Sequence, residues 1–157
     1  MAVVSEKIVA GIHEAFRAEH FATSFCFQCA YSITGIPNYK VYHEYFKDCF
    51  KSELNHMKKL AKKLHGLLEN IDIPNASVPN FDKLEDMLEY QYGIEMDAIE
   101  LYSKLADMAE QEKNTPFMEF FAGLAKEEED DREAIAKRLG RVPSKYSKVS
   151  ISIGDKP

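Results

Sequence analysis

The stretch of sequence that decides the fold is FKDCFKSELNHMKKLAKKLHGL, residues 46–67. Its apolar residues recur at the three-to-four-residue period of one helix face: Phe46, Cys49, Leu60, Leu64 and Leu67. Glu53 and His56 lie in the gap of this series, at positions where the period predicts core residues. Burying a carboxylate costs several kcal/mol unless a partner compensates it. The gap therefore indicates a helix that carries a buried polar site.

The same period runs through four long segments of the chain, and prolines mark the joints between them. Helix interiors exclude proline, so Pro37, Pro74, Pro79 and Pro116 are expected near helix ends. We predict helices over residues 5–33, 39–69, 82–112 and 116–139, with Thr115 as the N-cap of the fourth. The bundle is then expected over residues 1–140, and a C-terminal tail over 141–157, in which residues 149–153 alternate like a short strand.

The lengths of the connections predict how the helices pair. Short joints make helices one and two antiparallel, and likewise helices three and four. The connection over residues 70–81 is longer, and ten extended residues span roughly 33 Å. It can therefore cross the bundle from end to end and make helices two and three parallel. The predicted fold class is all-α, an antiparallel four-helix bundle with a long crossover between helices two and three.

The composition of the chain excludes several classes of protein. Its 157 residues are 45% hydrophobic and 29% charged, which fits one globular domain rather than a disordered chain. No apolar run is long enough to span a membrane, and residues 1–6 lack the layout of a signal peptide. A formal charge of −6 does not suggest nucleic-acid binding. We therefore expect a cytoplasmic protein without membrane or nucleic-acid partners, whose three cysteines are free thiols.

Polar interruptions like that of helix two recur in every predicted helix. The interrupting residues, taken together, are Glu19, Glu53, His56, Glu95, Glu128 and Asp131. Glu19 precedes Glu53 by 34 residues and Glu95 precedes Glu128 by 33, so the chain looks like two copies of one hairpin. Glu53 and His56 are three residues apart, and so are Glu128 and Asp131. This step puts both side chains of such a pair on one helix face. Five acids and an imidazole at one level require compensating cations, and oxygen with imidazole suits iron or manganese.

The residues around these positions resemble a known superfamily. Residues 18–22 and Glu53-Leu54-Asn55-His56 are similar to segments of ferritins and bacterioferritins. The third helix and residues 126–131, KEEEDD, are similar to the second half of bacterioferritin. Over residues 5–139 the chain thus resembles the ferritin-like di-iron carboxylate proteins, which include ferritins, bacterioferritins and Dps-like proteins. The resemblance implies a ferritin-like bundle with a di-iron site, and manganese is a possible alternative metal.

The resemblance also implies a role for each matched residue of the first hairpin. Glu19 corresponds to a terminal ligand of one iron, and His56 to a second ligand of that iron. Glu53 corresponds to a carboxylate that bridges the two metals. These residues would both bind the metals and carry the reaction.

In the second hairpin the resemblance implies that Glu95 is a terminal ligand of the other iron and that Glu128 is the second bridge. Asp131 stands where bacterioferritin and rubrerythrin have histidine, and it is the main departure from the pattern. Its shorter carboxylate can still serve as a ligand. Asp130 and Glu129 are neighbours that would take its place if the helical phase differs by one residue.

Other departures narrow the subfamily. Ala98 occupies the position of an additional metal-binding glutamate of rubrerythrins, and the four-cysteine module of those proteins is missing from this sequence. Leu54 stands where bacterioferritin has its haem-ligating methionine, so haem is not implied. The sequence after Arg141 does not look like the fifth helix of ferritins. That difference leaves smaller assemblies than the 24-subunit shell open.

The resemblance implies a function and a rival to it. The first hypothesis is a ferroxidase that oxidises ferrous iron with oxygen or hydrogen peroxide and stores the ferric product in a homo-oligomer, from a dimer up to a cage. The rival is a non-storage di-iron redox enzyme, such as a rubrerythrin-like peroxide or oxygen reductase. A metal-free binding bundle ranks last, because it leaves six ionisable core positions without a purpose.

Two further groups of residues have more than one interpretation. Cys26 and Cys49 are displaced in the same direction from Glu19 and Glu53, so their thiols are expected to meet near the metals, and Cys29 shares a face with Cys26. The thiols either pack as small hydrophobic groups or exchange electrons with the site. Tyr102 either fills the core or forms a hydrogen bond to a ligand.

Overall fold

A computed structural model describes residues 3–141 of the chain. Within these residues the protein forms four helices: α1 Glu6–Ser32, α2 Tyr39–Gly66, α3 Leu84–Gln111 and α4 Thr115–Arg138. The predicted all-α four-helix bundle is confirmed. None of the helices in residues 3–141 is long and apolar enough to cross a membrane. The strand predicted at residues 149–153 lies outside the described residues.

The helix ends differ from the predicted ones by up to three residues, for local reasons. The prediction of Thr115 as N-cap of α4 was wrong, because Thr115 is already helical and the Asn114 side chain accepts the hydrogen bond from the Phe117 amide at 3.3 Å. Asparagine caps a helix better than threonine does. Helix α2 ends at Gly66 rather than near residue 69, because Leu68 adopts a φ of 60° that stops the right-handed helix.

Two hydrophobic clusters fill the bundle, one toward each end. The first is built around Ile8, Ile12, Leu60 and Phe121, and the second around Phe25, Phe46, Leu88 and Ile135. In α1 and α2 the residues between these two sets include Glu19 and Glu53, which are buried but polar. The core is therefore divided by a polar layer near the middle of the bundle.

The connection between α2 and α3 crosses the bundle from end to end. Near its start, Leu67 packs on the first cluster and Glu69 contacts His13 of α1 at 3.1 Å. Near its end, Val78 and Phe81 pack on the second cluster. Because α2 and α3 thus begin at the same end of the bundle, they run parallel, as the length of the connection predicted.

Helix α1 packs against α2, α3 packs against α4, and α1 also contacts α3. The contact between α1 and α3 is close at Gly11, where a Cβ would collide with the side chain of Leu105. Glycine therefore lets the two hairpins approach each other. This approach brings Glu19 of α1 near the polar residues of α3 and α4.

Candidate metal centre

The six residues predicted as metal ligands lie together in the polar layer. Five of them are at most 2% exposed: Glu19, Glu53, His56, Glu95 and Glu128. Asp131 is half-buried. Each sits on the inner face of a long helix, and each helix continues an apolar period on both sides of it. The sequence thus places ionisable groups where the fold otherwise buries hydrocarbon.

The ligand-type atoms of these residues form two groups. Glu19, Glu53, His56 and Glu128 each offer one atom within 4.8 Å of the others. Glu95, Glu128 and Asp131 form the second group at the same limit. Glu128 belongs to both groups, so two cations bound there would share its carboxylate. Three carboxylates with one imidazole, and three carboxylates alone, are donor sets that suit iron or manganese.

The imidazole of His56 points Nδ1 into the first group. This nitrogen lies 2.9 Å from Glu128 Oε1, 3.3 Å from Glu53 Oε2 and 3.8 Å from Glu19 Oε1. Nevertheless His56 Nδ1 and both oxygens of Glu128 have no partner with hydrogen-bond geometry, and one oxygen each of Glu53 and Glu95 is also unpaired. Buried polar atoms normally have partners. Several unpaired ligand atoms that converge on one space are what a cation site presents.

The other nitrogen of His56 has a defined partner. Nε2 lies 2.8 Å from a carboxylate oxygen of Glu127, which also forms an ion pair with Lys59 at 2.8 Å. In the neutral ring that binds a metal, a hydrogen bond donated by Nε2 fixes the tautomer and leaves Nδ1 as the ligand atom. Glu127 was not predicted from the sequence, because it lies in a run of acids whose neighbours Glu128 and Glu129 have the same residue type.

Two more buried side chains contact the layer from α3. Tyr102 donates a hydrogen bond to Glu19 Oε1, which agrees with one of its two predicted roles. Gln91 donates to Glu95 Oε1 at 3.4 Å and is 1% exposed. Gln91 was missed, although it lies one helical turn before Glu95 and interrupts the apolar period in the same way.

The residues around Asp131 distinguish it from its neighbours. Its carboxylate accepts a hydrogen bond from Ser52 at 3.1 Å and belongs to the group with Glu95 and Glu128. Asp130 instead pairs with Lys126 on the surface at 2.7 Å. These contacts place Asp131, and not Asp130, beside Glu95 and Glu128 in the second ligand group.

Burial and crowding shift the pKa values of the layer. Burial, together with Glu53 and Glu19, raises the pKa of Glu128 to about 8, although His56 opposes this. Burial and neighbouring carboxylates raise the pKa values of Glu53 and Glu95 well above their usual range. Burial disfavours a charged His56, but Glu128, Glu19 and Glu53 outweigh burial and raise its pKa. In the metal-free protein, protons therefore supply the positive charge that the layer requires.

A cavity of about 490 Å³ connects this layer to the surface between α1 and α3. Glu19, Glu53, Glu95 and Glu128 line its inner part. Small residues, among them Ala18, Gly93 and Ala98, and exposed acids such as Glu14 and Asp97 line its outer part. Ala98, which stands where rubrerythrins have a glutamate, contributes space to this cavity rather than another ligand.

Comparisons with known proteins agree with the fold that carries this site. The family model described as "Ferritin-like domain" matches residues 9–144. A ferritin-like di-iron carboxylate protein from Bacillus anthracis superposes with a TM-score of 0.79 at 23% identity, covering 87% of this chain and 99% of that one.

Two other solved structures share the fold. An open-pore ferritin from Archaeoglobus fulgidus superposes with a TM-score of 0.79 at 20% identity, covering 89% of this chain and 86% of that one. A Dps mutant from Listeria innocua has a TM-score of 0.78 at 12% identity, covering 90% of this chain and 98% of that one. At these identities the likeness shows the fold alone. Curated protein sequences contain no significant match.

Proposed function

The chain belongs to the ferritin-like domain family, and from that premise we propose that it oxidises ferrous iron in the polar layer and stores the ferric product in a homo-oligomer. The observation that carries this proposal is the pair of ligand groups that share Glu128 and contain unpaired buried atoms. A single shared carboxylate allows two ferrous ions to bind at a short separation. Oxygen or hydrogen peroxide then takes one electron from each ion.

In this proposal the residues of the layer have distinct tasks. Glu19 and His56 bind one ferrous ion, and Glu95 and Asp131 bind the other. Glu128, which belongs to both ligand groups, holds the two ions together, and Glu53 of the first group is the second proposed bridge. The protons on Glu128 and His56 leave as the ions bind, because ligands must be deprotonated. The pair of ions thus takes over the charge that protons supply in the metal-free layer.

The surface around the cavity supports a route for ferrous ions. Glu14 and Asp97 are exposed acids at its outer part, and Glu19 and Glu95 face it inside. A cleft lined by one sign of charge concentrates ions of the opposite sign. The negative net charge of −6 acts in the same direction.

Three observations bear on assembly and location. Phe27 and Tyr31 are 51% and 62% exposed on α1, and large exposed aromatic side chains are typical of contacts between subunits. One neighbour by fold is an open-pore ferritin, which supports a homo-oligomer here. All three cysteines are free thiols, which supports a cytoplasmic location.

A non-storage di-iron redox enzyme is the second candidate, and one observation favours it. Tyr102 contacts Glu19, and Cys26 contacts Gln91 beside the layer; a protein that cycles electrons benefits from oxidisable side chains there. Such an enzyme would retain its irons as a resident cofactor. Storage would instead release them after each oxidation.

Aerobic loading with ferrous iron distinguishes the two functions. We expect a large particle by size-exclusion chromatography with light scattering, holding many irons per chain. A small oligomer that retains about two irons per chain would support the redox enzyme and contradict storage. Asp130→Ala is a matched control, since it removes an exposed acid next to Asp131 and should load like the wild type.

A further inference from the structure

Two cysteines from different helices meet beside the polar layer. Cys26 of α1 is 1% exposed and Cys49 of α2 is half-buried, and the two thiols lie close enough for each to shift the pKa of the other. Gln91 of α3 donates to Cys26 Sγ at 3.6 Å and to Glu95 Oε1 at 3.4 Å. One side chain therefore contacts both Cys26 and a proposed metal ligand.

The two thiols differ in chemical character. The interaction with the Cys26 thiol lowers the pKa of Cys49 in spite of burial. The same interaction and burial raise the pKa of Cys26 well above its usual range. Cys49 is thus the thiol that ionises first, and it is also the more accessible of the two. A thiolate with partial access to solvent is the reactive form of cysteine.

The third cysteine provides a comparison within the same helix. Cys29 is one turn from Cys26 and almost fully buried, and burial raises its pKa to about 12. It has no comparable interaction that favours its thiolate among the causes of that shift. Cys29 therefore has the properties of a structural thiol.

We propose that Cys26 and Cys49 are a dithiol that reduces hydrogen peroxide, with Cys49 as the attacking thiolate and Cys26 as the resolving thiol. The Cys49 sulfur attacks one peroxide oxygen, the O–O bond breaks, and the other oxygen leaves as water after taking a proton. Cys26 then attacks the resulting sulfenic acid, and a disulfide and a second water form. Two electrons pass from the two sulfurs to one peroxide molecule. A small-molecule thiol restores the dithiol by exchange, beginning at the accessible Cys49.

The position of the pair gives this chemistry a purpose beyond iron oxidation. Cys49 precedes Glu53 by four residues, about 6 Å along α2. Peroxide that is formed or used by iron oxidation in the layer would meet the dithiol over a short path. The reaction itself needs no metal, so this proposal does not rest on the proposed iron function.

The test uses the full-length, metal-free protein. After reduction and removal of the reductant, hydrogen peroxide is added at one equivalent in the presence of a chelator, and free thiols are counted after denaturation. We expect the count to fall from three to one, with an intact mass that loses two hydrogen atoms. A tryptic digest without reductant should then link residues 18–40 to residues 48–51. Three remaining thiols, or a disulfide between two chains, would overturn the proposal.

Three variants assign the roles. Cys29→Ser should form the same cross-link, which also identifies Cys26 as the partner within residues 18–40. Cys26→Ser should accumulate a sulfenic acid at Cys49 that dimedone traps. Cys49→Ser should lose thiols at least about tenfold more slowly than the wild type. A dimedone adduct that is missing in Cys26→Ser, or a wild-type rate in Cys49→Ser, would contradict the assigned roles.

Discussion

In the first hairpin, α1 and α2, both terminal ligand candidates of the polar layer are almost completely buried, and His56 is held by Glu127 on its far side. In the second hairpin, α3 and α4, Glu95 is equally buried, but Asp131 is half-buried and engages Ser52. The two hairpins repeat the same spacing, yet they present one imidazole with a fixed tautomer and one short, partly solvated carboxylate.

From this difference we expect that the repeated ligand spacing does not produce two equal metal positions. A ligand whose orientation is already fixed by its own partners binds without further ordering. Asp131 is half-buried and has a shorter carboxylate, so it is held less rigidly than His56 even though it accepts a hydrogen bond from Ser52. We therefore expect the first position, at Glu19 and His56, to bind ferrous iron more tightly than the second.

Removing two residues of the first ligand group should have the largest effect on ferrous oxidation. Glu53→Ala combined with His56→Ala is expected to reduce ferrous oxidation to the uncatalysed background, because it removes a shared carboxylate and the only imidazole among the six predicted ligands. The bundle should remain helical by circular dichroism, since removing buried charge is often neutral or stabilising. Glu44→Ala with His65→Ala is the matched control, as both are exposed on the same helix. Wild-type oxidation rates in the double variant of the layer would contradict the site.

The second position can be made more like the first with Asp131→His. We expect anaerobic ferrous titration by calorimetry to show one tighter and one weaker step in the wild type, and two comparable steps in this variant. A neutral imidazole removes one negative charge and supplies the commoner ligand. In Asp131→Ala the weaker step should lose about tenfold or more in affinity. If all three proteins bind two irons alike, Asp131 is not a ligand.

The raised pKa of Glu128, the carboxylate shared by both positions, predicts that the stability of the metal-free protein depends on pH. The pKa of Glu128 is raised to about 8 in the folded metal-free protein, from its ordinary value of 4.5. Its contribution to stability is therefore complete at low pH and is lost as the pH rises through about 8. The melting temperature of the metal-free protein should fall between about pH 5 and about pH 8, and metal should raise it most at the upper end.

Two variants check this pH dependence by differential scanning calorimetry. In metal-free Glu128→Gln the melting temperature should fall less steeply with rising pH, because an amide does not titrate. Asp130→Asn, an exposed change on the same helix, should follow the wild type. A melting temperature of the metal-free wild type that rises with pH over this range would show that the layer is not protonated.

Removing one hydrogen bond to a ligand of the first position should have the smallest effect on ferrous binding. Tyr102→Phe removes the hydrogen bond to Glu19 and leaves the ring in the core. The loss should be about 1 kcal/mol, or roughly fivefold in the affinity of the tighter ferrous step. The weaker step should not change. Tyr92→Phe on the same helix is the control, and equal effects of the two variants on the tighter step would contradict a role for the Glu19 contact.

Long apolar periods made the fold predictable from the sequence. Each predicted helix interior is helical, because burial of one continuous face determines it over many turns. The helix ends were less predictable, since they depend on single contacts such as the Asn114 cap and the turn at Leu68. The polar layer was visible because each of its residues interrupts such a period.

The supporting contacts of the layer were harder to predict, since they depend on side-chain direction across helices. Glu127 is exposed and lies outside the apolar face, so no period marks it as the partner of His56. The contact of Gln91 with Cys26 joins α3 to α1, which no spacing within one helix predicts. That the six polar residues are metal ligands stays a prediction.

Anomalous diffraction from crystals grown with manganese or ferrous ions under anaerobic conditions tests the central claim most directly. The account predicts two peaks per chain about 3.5–4 Å apart, with Glu128 between them. The stronger peak should lie at Glu19 and His56, and the weaker at Glu95 and Asp131. A single peak bound elsewhere on the chain, or a layer without any peak at saturating metal, would contradict it.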